Sequence, residues 1–491
     1  MSTDLNRRIA TAVRTIVDDL PVRPPAAAAV RARAARQAAG PDEPFPVPGE
    51  ARRRVGWAAP AITATAAIIV LLAIAVLLPA LRPGPTGERA GAPAGAANLP
   101  REFAGMSLLT APVSDAPAGP AVALYRQGSL GTRLGTVQVV VLGVDGRTYR
   151  RLDLAERRGA DGPDGEYEPA DALLAPDGSK AAVADPTRVR DCIEVVDLRT
   201  GRTTRYGLDP PVAVRLLDWS PDGRWLALVV NDDPPDGLRA PGNPAVLDTT
   251  TGALRRFDRL RSTESWDGAS FSPDGTRIAL ATTADDGPVS EGGGRVVPAI
   301  SIVDRTGTVL RTLPVPASAA LLSAAAWSPD GRLLAMSEST PQGYRLAFVD
   351  PTGERGPVPA PMQNSAVPVG WRSPSTLLAV ADSAGDALDI VEVPVDGGPI
   401  RRLSRVSAGI GGLARPGQLQ VAEALAAQAR VGDAGPARRG PWPLWWWLTV
   451  AAAATFVGWR VVRRARARRR PAMTASTSAP DSIRSTSRRR S

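Results

Sequence analysis

Trp219-Ser220-Pro221-Asp222-Gly223, running on into Arg224-Trp225-Leu226-Ala227-Leu228-Val229-Val230, is one unit of a repeat. Phe271-Ser272-Pro273-Asp274-Gly275 stands before Ile278-Ala279-Leu280, and Trp327-Ser328-Pro329-Asp330-Gly331 before Leu334-Ala335-Met336. Ala175-Pro176-Asp177-Gly178, ahead of Ala181-Ala182-Val183, is a further copy. Each unit reads as a strand, a tight turn and a second strand. Proline presets φ, Ser or Asp bonds nearby backbone, and Gly takes the conformation closed to other residues. The aromatics Trp219, Phe271, Trp327 and Trp371 before the turns read as packing residues rather than a ligand cage.

A second landmark trails each copy by about 25 residues: an apolar run ending in Asp, a short turn with Gly, then Arg and Thr. Asp197 to Gly201, Asp248 to Gly252, Asp304 to Gly307 and Asp350 to Gly353 read as hairpin turns. Asp145-Gly146 and Asp396-Gly397-Gly398 bring these landmarks to six. Each period is therefore four short strands, and the turn prolines 176, 221, 273, 329 and 374 recur every 45 to 56 residues. A four-stranded period of that length is a propeller blade.

These turns and hairpins resemble the WD40-like propeller repeats of the TolB type, over roughly residues 99 to 428. The resemblance implies an all-β propeller and names no ligand. The repeat departs from true WD40 in having no histidine for a Gly-His step, and no soluble TolB N-terminal domain precedes it. Blade number is six or seven. The inner strands of the first blade come from Met106 to Leu124 or from Gly409 to Glu423. Six second landmarks favour six blades, with Pro416 and Val421-Ala422 as a degenerate last repeat closing the ring.

Charge is unevenly placed. The chain has 59 Lys+Arg against 49 Asp+Glu, a net +10. Ten of the arginines lie in residues 1 to 56 and eleven in 460 to 491. The middle is slightly acidic, so it offers no basic footprint for nucleic acid. Lys180 is the only lysine, which suggests a high-GC, actinobacterial source.

Outside the repeats the chain divides as follows. Residues 1 to 56 are expected to be a cytoplasmic segment whose amphipathic helix at 3 to 20 carries Leu5, Ile9, Val13, Ile16 and Leu20 on one face. Residues 57 to 81 are uncharged and preceded by Arg52-Arg53-Arg54, as expected of a first membrane span. Residues 82 to 98 and 429 to 441 read as linkers. Residues 442 to 462, with tryptophans at both ends and arginines beyond, read as a second span, and 463 to 491 as a basic, unfolded cytoplasmic tail. The expectation is a two-pass cell-membrane protein with both termini inside and the propeller outside.

Chemistry is narrowed by exclusion. With no histidine, His-based triads and the common zinc sites are impossible. Cys192 is the only thiol, sits in a strand pattern and is expected to be buried. No G-x-S-x-G elbow occurs. No cofactor, no metal and no catalytic residue are expected. Strand order puts the two kinds of turn on one rim and the long insertions 156 to 170, 231 to 244 and 284 to 298 on the other. Long loops on a rigid scaffold are where binding lives. Their acids Asp161, Asp164, Asp232, Asp233, Asp285 and Asp286 are the candidate partner-binding residues. The reading is a membrane-tethered binding module for a protein, peptide or glycan. The alternative is a transmembrane signalling component, anti-sigma-like, using the helix at 3 to 20 on a cytoplasmic regulator. A carboxylate-based hydrolase comes third.

Overall fold

Each Ser-Pro-Asp-Gly turn is closed by its own side chains. In the first, Gly223 N–H donates to the Ser220 carbonyl at 2.8 Å and Trp225 N–H donates to Ser220 Oγ at 2.8 Å. Ser220 in turn donates to Asp222 Oδ1 at 2.5 Å. Ser272 with Asp274 and Ser328 with Asp330 repeat the arrangement. Gly223, Gly275 and Gly331 have φ of 65°, 68° and 69°, the left-handed region that favours glycine. The second set of turns is built on aspartates that accept from backbone two or more residues on, as Asp197 does from Arg199 and Thr200.

These turns join strands in a computed structural model. It describes residues 97–128, 137–161, 167–234, 242–262, 268–283, 298–316, 319–321, 324–340, 343–360, 362, 366–383, 386–408, 415–441 and 444–468. The expected helix at 3 to 20, the first span at 57 to 81, nearly all of the linker at 82 to 98, and the tail beyond 468 lie outside them.

The protein is all-β with a propeller arrangement, in which four sheets have at least four strands each. One is Ala269–Phe271, Arg277–Thr283, Pro298–Asp304 and Val309–Pro314. Another is Ala366–Ser373, Thr376–Ser383, Ala387–Pro394 and Arg401–Val406. A seven-stranded sheet runs from Asp171–Leu174 to Leu254–Arg256 through the long strand Thr203–Trp219. That strand pairs with Arg190–Asp197 through its first half and Trp225–Asn231 through its second. Ala319–Ala320, Leu334–Thr340 and Gly343–Val349 make a smaller, three-stranded sheet.

The fourth large sheet closes the ring. Ala121–Gly128 pairs on one side with Gln138–Gly143, itself paired with Tyr149–Arg151, and on the other with the C-terminal strand Arg415–Val421. Of the two sources weighed for the inner strands, the N-terminal and the C-terminal stretch each supply one. The stretch 429 to 441, read above as a linker, is instead built into the fold. Arg430–Gly432 runs parallel to Asn98–Pro100, so this stretch and the start of the described chain are laced together.

Apolar residues collect between neighbouring sheets rather than inside each one. Leu217, Ala227 and Val246, for example, share a cluster with Phe271, Ile278 and Val303 of the next sheet. Four large aromatics sit at these seams: Trp219, Phe271, Trp327 and Trp371 are all at least 94% buried.

A last helix, Leu444–Arg468, covers the expected second span. Its stretch free of charge, Leu444 to Trp459, is 16 residues, about 24 Å at 1.5 Å per residue against a hydrocarbon core of about 30 Å. Arginines take over from Arg460. Among the described residues no helix is long and apolar enough to cross a membrane.

Candidate binding rim

Strand pairing fixes where each loop leaves its sheet. Thr203–Trp219, Trp225–Asn231, Asn243–Asp248 and Leu254–Arg256 are successive antiparallel neighbours. The turns at 220 to 224 and 249 to 253 therefore leave one end of the sheet, and the insertion at 232 to 242 leaves the other. The same order holds for the sheet from Ala269–Phe271 to Val309–Pro314, whose insertion is 284 to 297. Successive turns adjoin one another. A side chain on Gly275 would meet Pro221 Cδ at 3.6 Å, and one on Gly331 would meet Pro273 Cδ at 3.8 Å.

The rim of turns is electrostatically self-contained. The Arg224 guanidinium, 2.7 Å from Asp248 Oδ2, holds that carboxyl well below its ordinary value. The Thr306 hydroxyl does the same for Asp304, and the Thr352 hydroxyl for Asp350. Trp225 lies between two guanidiniums, Arg224 at 4.8 Å and Arg305 of the next sheet at 5.1 Å.

Of the six candidate acids the structure describes three. Asp161 belongs to the short strand Ala160–Asp161, paired with Tyr167–Glu168. Asp232, 63% exposed at its side chain, pairs with Arg256 at 2.8 Å. Asp233 donates its backbone N–H to Asn231 Oδ1 at 2.9 Å. Asp164, Asp285 and Asp286 lie outside the described residues. Glu156, read above as the start of an acidic loop, is part of the helix Asp153–Arg158 and is buried, ion-paired with Arg151 and accepting from Val139 N–H at 3.2 Å. The start of that insertion is therefore packing, not rim.

Other polar groups went unnoticed in the sequence. Arg126 reaches across the closing seam to Asp171 at 3.4 Å and to the carbonyls of Pro169 and Ala170. Gln127 and Gln138, cross-strand partners and almost wholly buried, give their amide N–H to Ser407 and Ser107 carbonyls. The signal was available: Arg126-Gln127 interrupts an apolar strand, Ala121 to Tyr125, just before its end. At the other end of the ring, Asp218 is buried and uses both carboxyl oxygens. It accepts from Trp219 N–H at 2.7 Å and from Phe271 N–H at 2.6 Å, tying two successive sheets together. Burial, reinforced by nearby Glu423, pushes its pKa up; burial pushes Glu423 up to about 7.

Cys192 is half-buried rather than buried as expected. Its place on an outer strand leaves one side open, and Arg205 donates to its sulfur at 3.1 Å. Desolvation nevertheless raises the thiol pKa, the wrong direction for a nucleophile.

No protein-family model and no curated protein sequence matches the chain. Solved structures similar to it include TolB from Acinetobacter baumannii, at 17% identity over 57% of this chain and 65% of that one, with a TM-score of 0.35. A protein of Agrobacterium tumefaciens assigned as TolB is 15% identical over 62% of this chain and 99% of its own, with a TM-score of 0.33. Pyrococcus horikoshii acylaminoacyl peptidase is 12% identical over 46% of this chain and 38% of its own, with a TM-score of 0.32. The chain thus spans less than two thirds of the Acinetobacter protein. The propeller rests on strand pairing, not on these likenesses.

Proposed function

We propose that the protein is a non-catalytic binding module, a six-bladed propeller tethered to a membrane, which recognises a protein, peptide or glycan partner through the rim that carries the insertions. One observation carries the reading. The turn rim is consumed by its own hydrogen bonds and ion pairs, whereas the insertions leave from the other end of the same sheets. Six blades follow if the seven-stranded sheet counts as two that share Thr203–Trp219 and the three-stranded sheet counts as one. The absence of histidine and the raised thiol pKa of Cys192 support a role without catalysis.

Attachment is proposed through residues 57 to 81 and the helix that begins at Leu444. The latter needs the preceding Trp442-Pro443, and Arg460 reaching toward headgroups, to match the bilayer. The test is capture of partners by the full-length protein in detergent. Neutralising Asp232, Asp233, Asp285 and Asp286 together should weaken capture and flatten its salt dependence, with an unchanged melting temperature. Unchanged capture by this variant would move recognition away from the acidic rim.

A further inference from the structure

Both ends of the propeller leave it at one place. Ala97 accepts from Arg430 N–H at 2.7 Å, and Asn98 N–H donates to Val144 at 2.8 Å. The C-terminal stretch from residue 430 to 440 ends equally close by. Arg438 forms a parallel bridge with Thr148, next to the outermost strand Tyr149–Arg151. Its carbonyl accepts from Tyr149 at 2.9 Å, and Arg439 accepts from Ala111 at 2.8 Å. Val144 and Tyr149 flank one hairpin turn, in which Gly143 N–H donates to the Thr148 carbonyl at 2.8 Å, so the two exits lie close together. The apolar helix then starts at Leu444, at most about 15 Å of chain beyond Gly440.

That edge is basic. Residues 144 to 150 and 430 to 440 hold Arg147, Arg150, Arg430, Arg438 and Arg439 against only Asp145 and Asp433. Asp145 is engaged by its own turn, accepting from Arg147 N–H, Thr148 N–H and the Thr148 hydroxyl. The guanidiniums of Arg150 and Arg439 are braced on neutral oxygens rather than carboxylates. Arg150 donates to Ala116, Tyr149 and Arg438 carbonyls, and Arg439 to Thr110 Oγ1 and the Gly105 carbonyl. Bonds of this kind hold the side chains in place without engaging a carboxylate. Elsewhere several outer-strand arginines face acids, as Arg205 with Glu194, Arg256 with Asp232 and Arg405 with Asp389.

We propose that this sheet edge, presenting Arg147, Arg150, Arg438 and Arg439, rests on the headgroups of anionic phospholipids, so that the rim carrying the insertions is left free. The inference rests on the membrane attachment proposed above. The occupant follows from what flanks the patch: an uncharged stretch ends 16 residues before Ala97, and an apolar helix starts within four residues of Gly440. Whatever holds those two segments brings its surface to these arginines. A phosphodiester headgroup matches guanidinium charge and geometry.

The test uses the full chain in lipid nanodiscs, with Cys192→Ser and a donor dye on Pro436→Cys, an exposed position beside Arg438. Energy transfer to a headgroup acceptor should be higher in discs containing phosphatidylglycerol than in phosphatidylcholine alone, and about 0.5 M salt should remove the difference. Arg438→Gln and Arg147→Gln should each reduce the edge-bound population about 5-fold, whereas Arg438→Lys should retain it. Equal transfer in both lipids, or transfer indifferent to both glutamine variants, overturns the proposal while leaving the attachment intact. A chain released from membranes by alkaline carbonate overturns the attachment itself.

Discussion

The indole N–H of Trp327 donates to the carbonyl of Ser270 at 3.0 Å, although 57 residues separate them. Trp219 makes the same bond to Leu173 at 3.2 Å and Trp371 to Ala325 at 3.0 Å. Trp219 and Trp327 are thereby fastened to the strands Asp171–Leu174 and Ala269–Phe271, and Trp371 to the residue two before Trp327. Phe271 has no N–H on its ring, and at that seam Asp218 makes the link instead, through the Phe271 backbone.

Trp219→Phe should therefore cost about 1 to 3 kcal/mol, the loss of a buried hydrogen bond. Trp219→Ala should cost about 3 to 5 kcal/mol by opening a cavity. Denaturant melts of the full chain check both. Equal losses for the two variants would mean that the indole bond contributes nothing.

Glycines in equivalent turns should not be equally sensitive. Gly223 has φ of 65° with nothing within 4 Å of where a Cβ would sit, so Gly223→Ala should cost only the backbone term, about 1 to 2 kcal/mol. Gly178 has φ of 69°, and a Cβ there would overlap the backbone of Ala121. Gly178→Ala should be the more damaging by at least about 2 kcal/mol, measured by the shift in melting midpoint.

The acid pair gives a pH dependence. The folded pKa of Glu423 is raised by burial from 4.5 to about 7, and that of Asp218 is raised as well, so the folded state binds protons more tightly than the unfolded one. The stability from this source is present in full below the unfolded values and is lost as pH rises through about 7. The melting temperature should fall between about pH 5 and 8, by the equivalent of about 1 to 3 kcal/mol. Glu423→Gln should flatten the fall. A slope that survives this substitution assigns the titration elsewhere.

Topology is open to reporter fusions. Arginines flank the expected cytoplasmic end of each apolar stretch, so alkaline phosphatase fused near residue 300 should be active and at residue 485 silent. The opposite pattern refutes the two-pass arrangement.

What the sequence made legible is what repeats or is local. The Ser-Pro-Asp-Gly and Asp-Gly turns show themselves because side chains and backbone within five residues close them. The aromatics announce their burial by recurring at one place in each period. The lacing of Asn98–Pro100 with Arg430–Gly432 was not legible, because strands of three residues carry no periodicity and their pairing is decided by closure of the ring. Asp218 was equally hidden. Its position, one residue before a repeat, looks like any turn acid, and only the next blade supplies the Phe271 N–H that draws it into the interior. For the rim, the placement of the insertions followed from strand order, but Glu156 shows that acid-rich composition does not tell a solvated loop from a short helix packed beneath it.

The pairing of Ala123 with Val421 sets a schedule for biosynthesis. Strand Ala121–Gly128 leaves the ribosome with one edge unsatisfied, and its partner arrives about 300 residues later, roughly 15 to 60 s at ordinary elongation rates. Throughout that interval the nascent chain carries an open edge able to pair with another chain. Synthesis that stops short of Arg415 leaves that edge open for good, so truncated products should aggregate rather than persist as smaller rings.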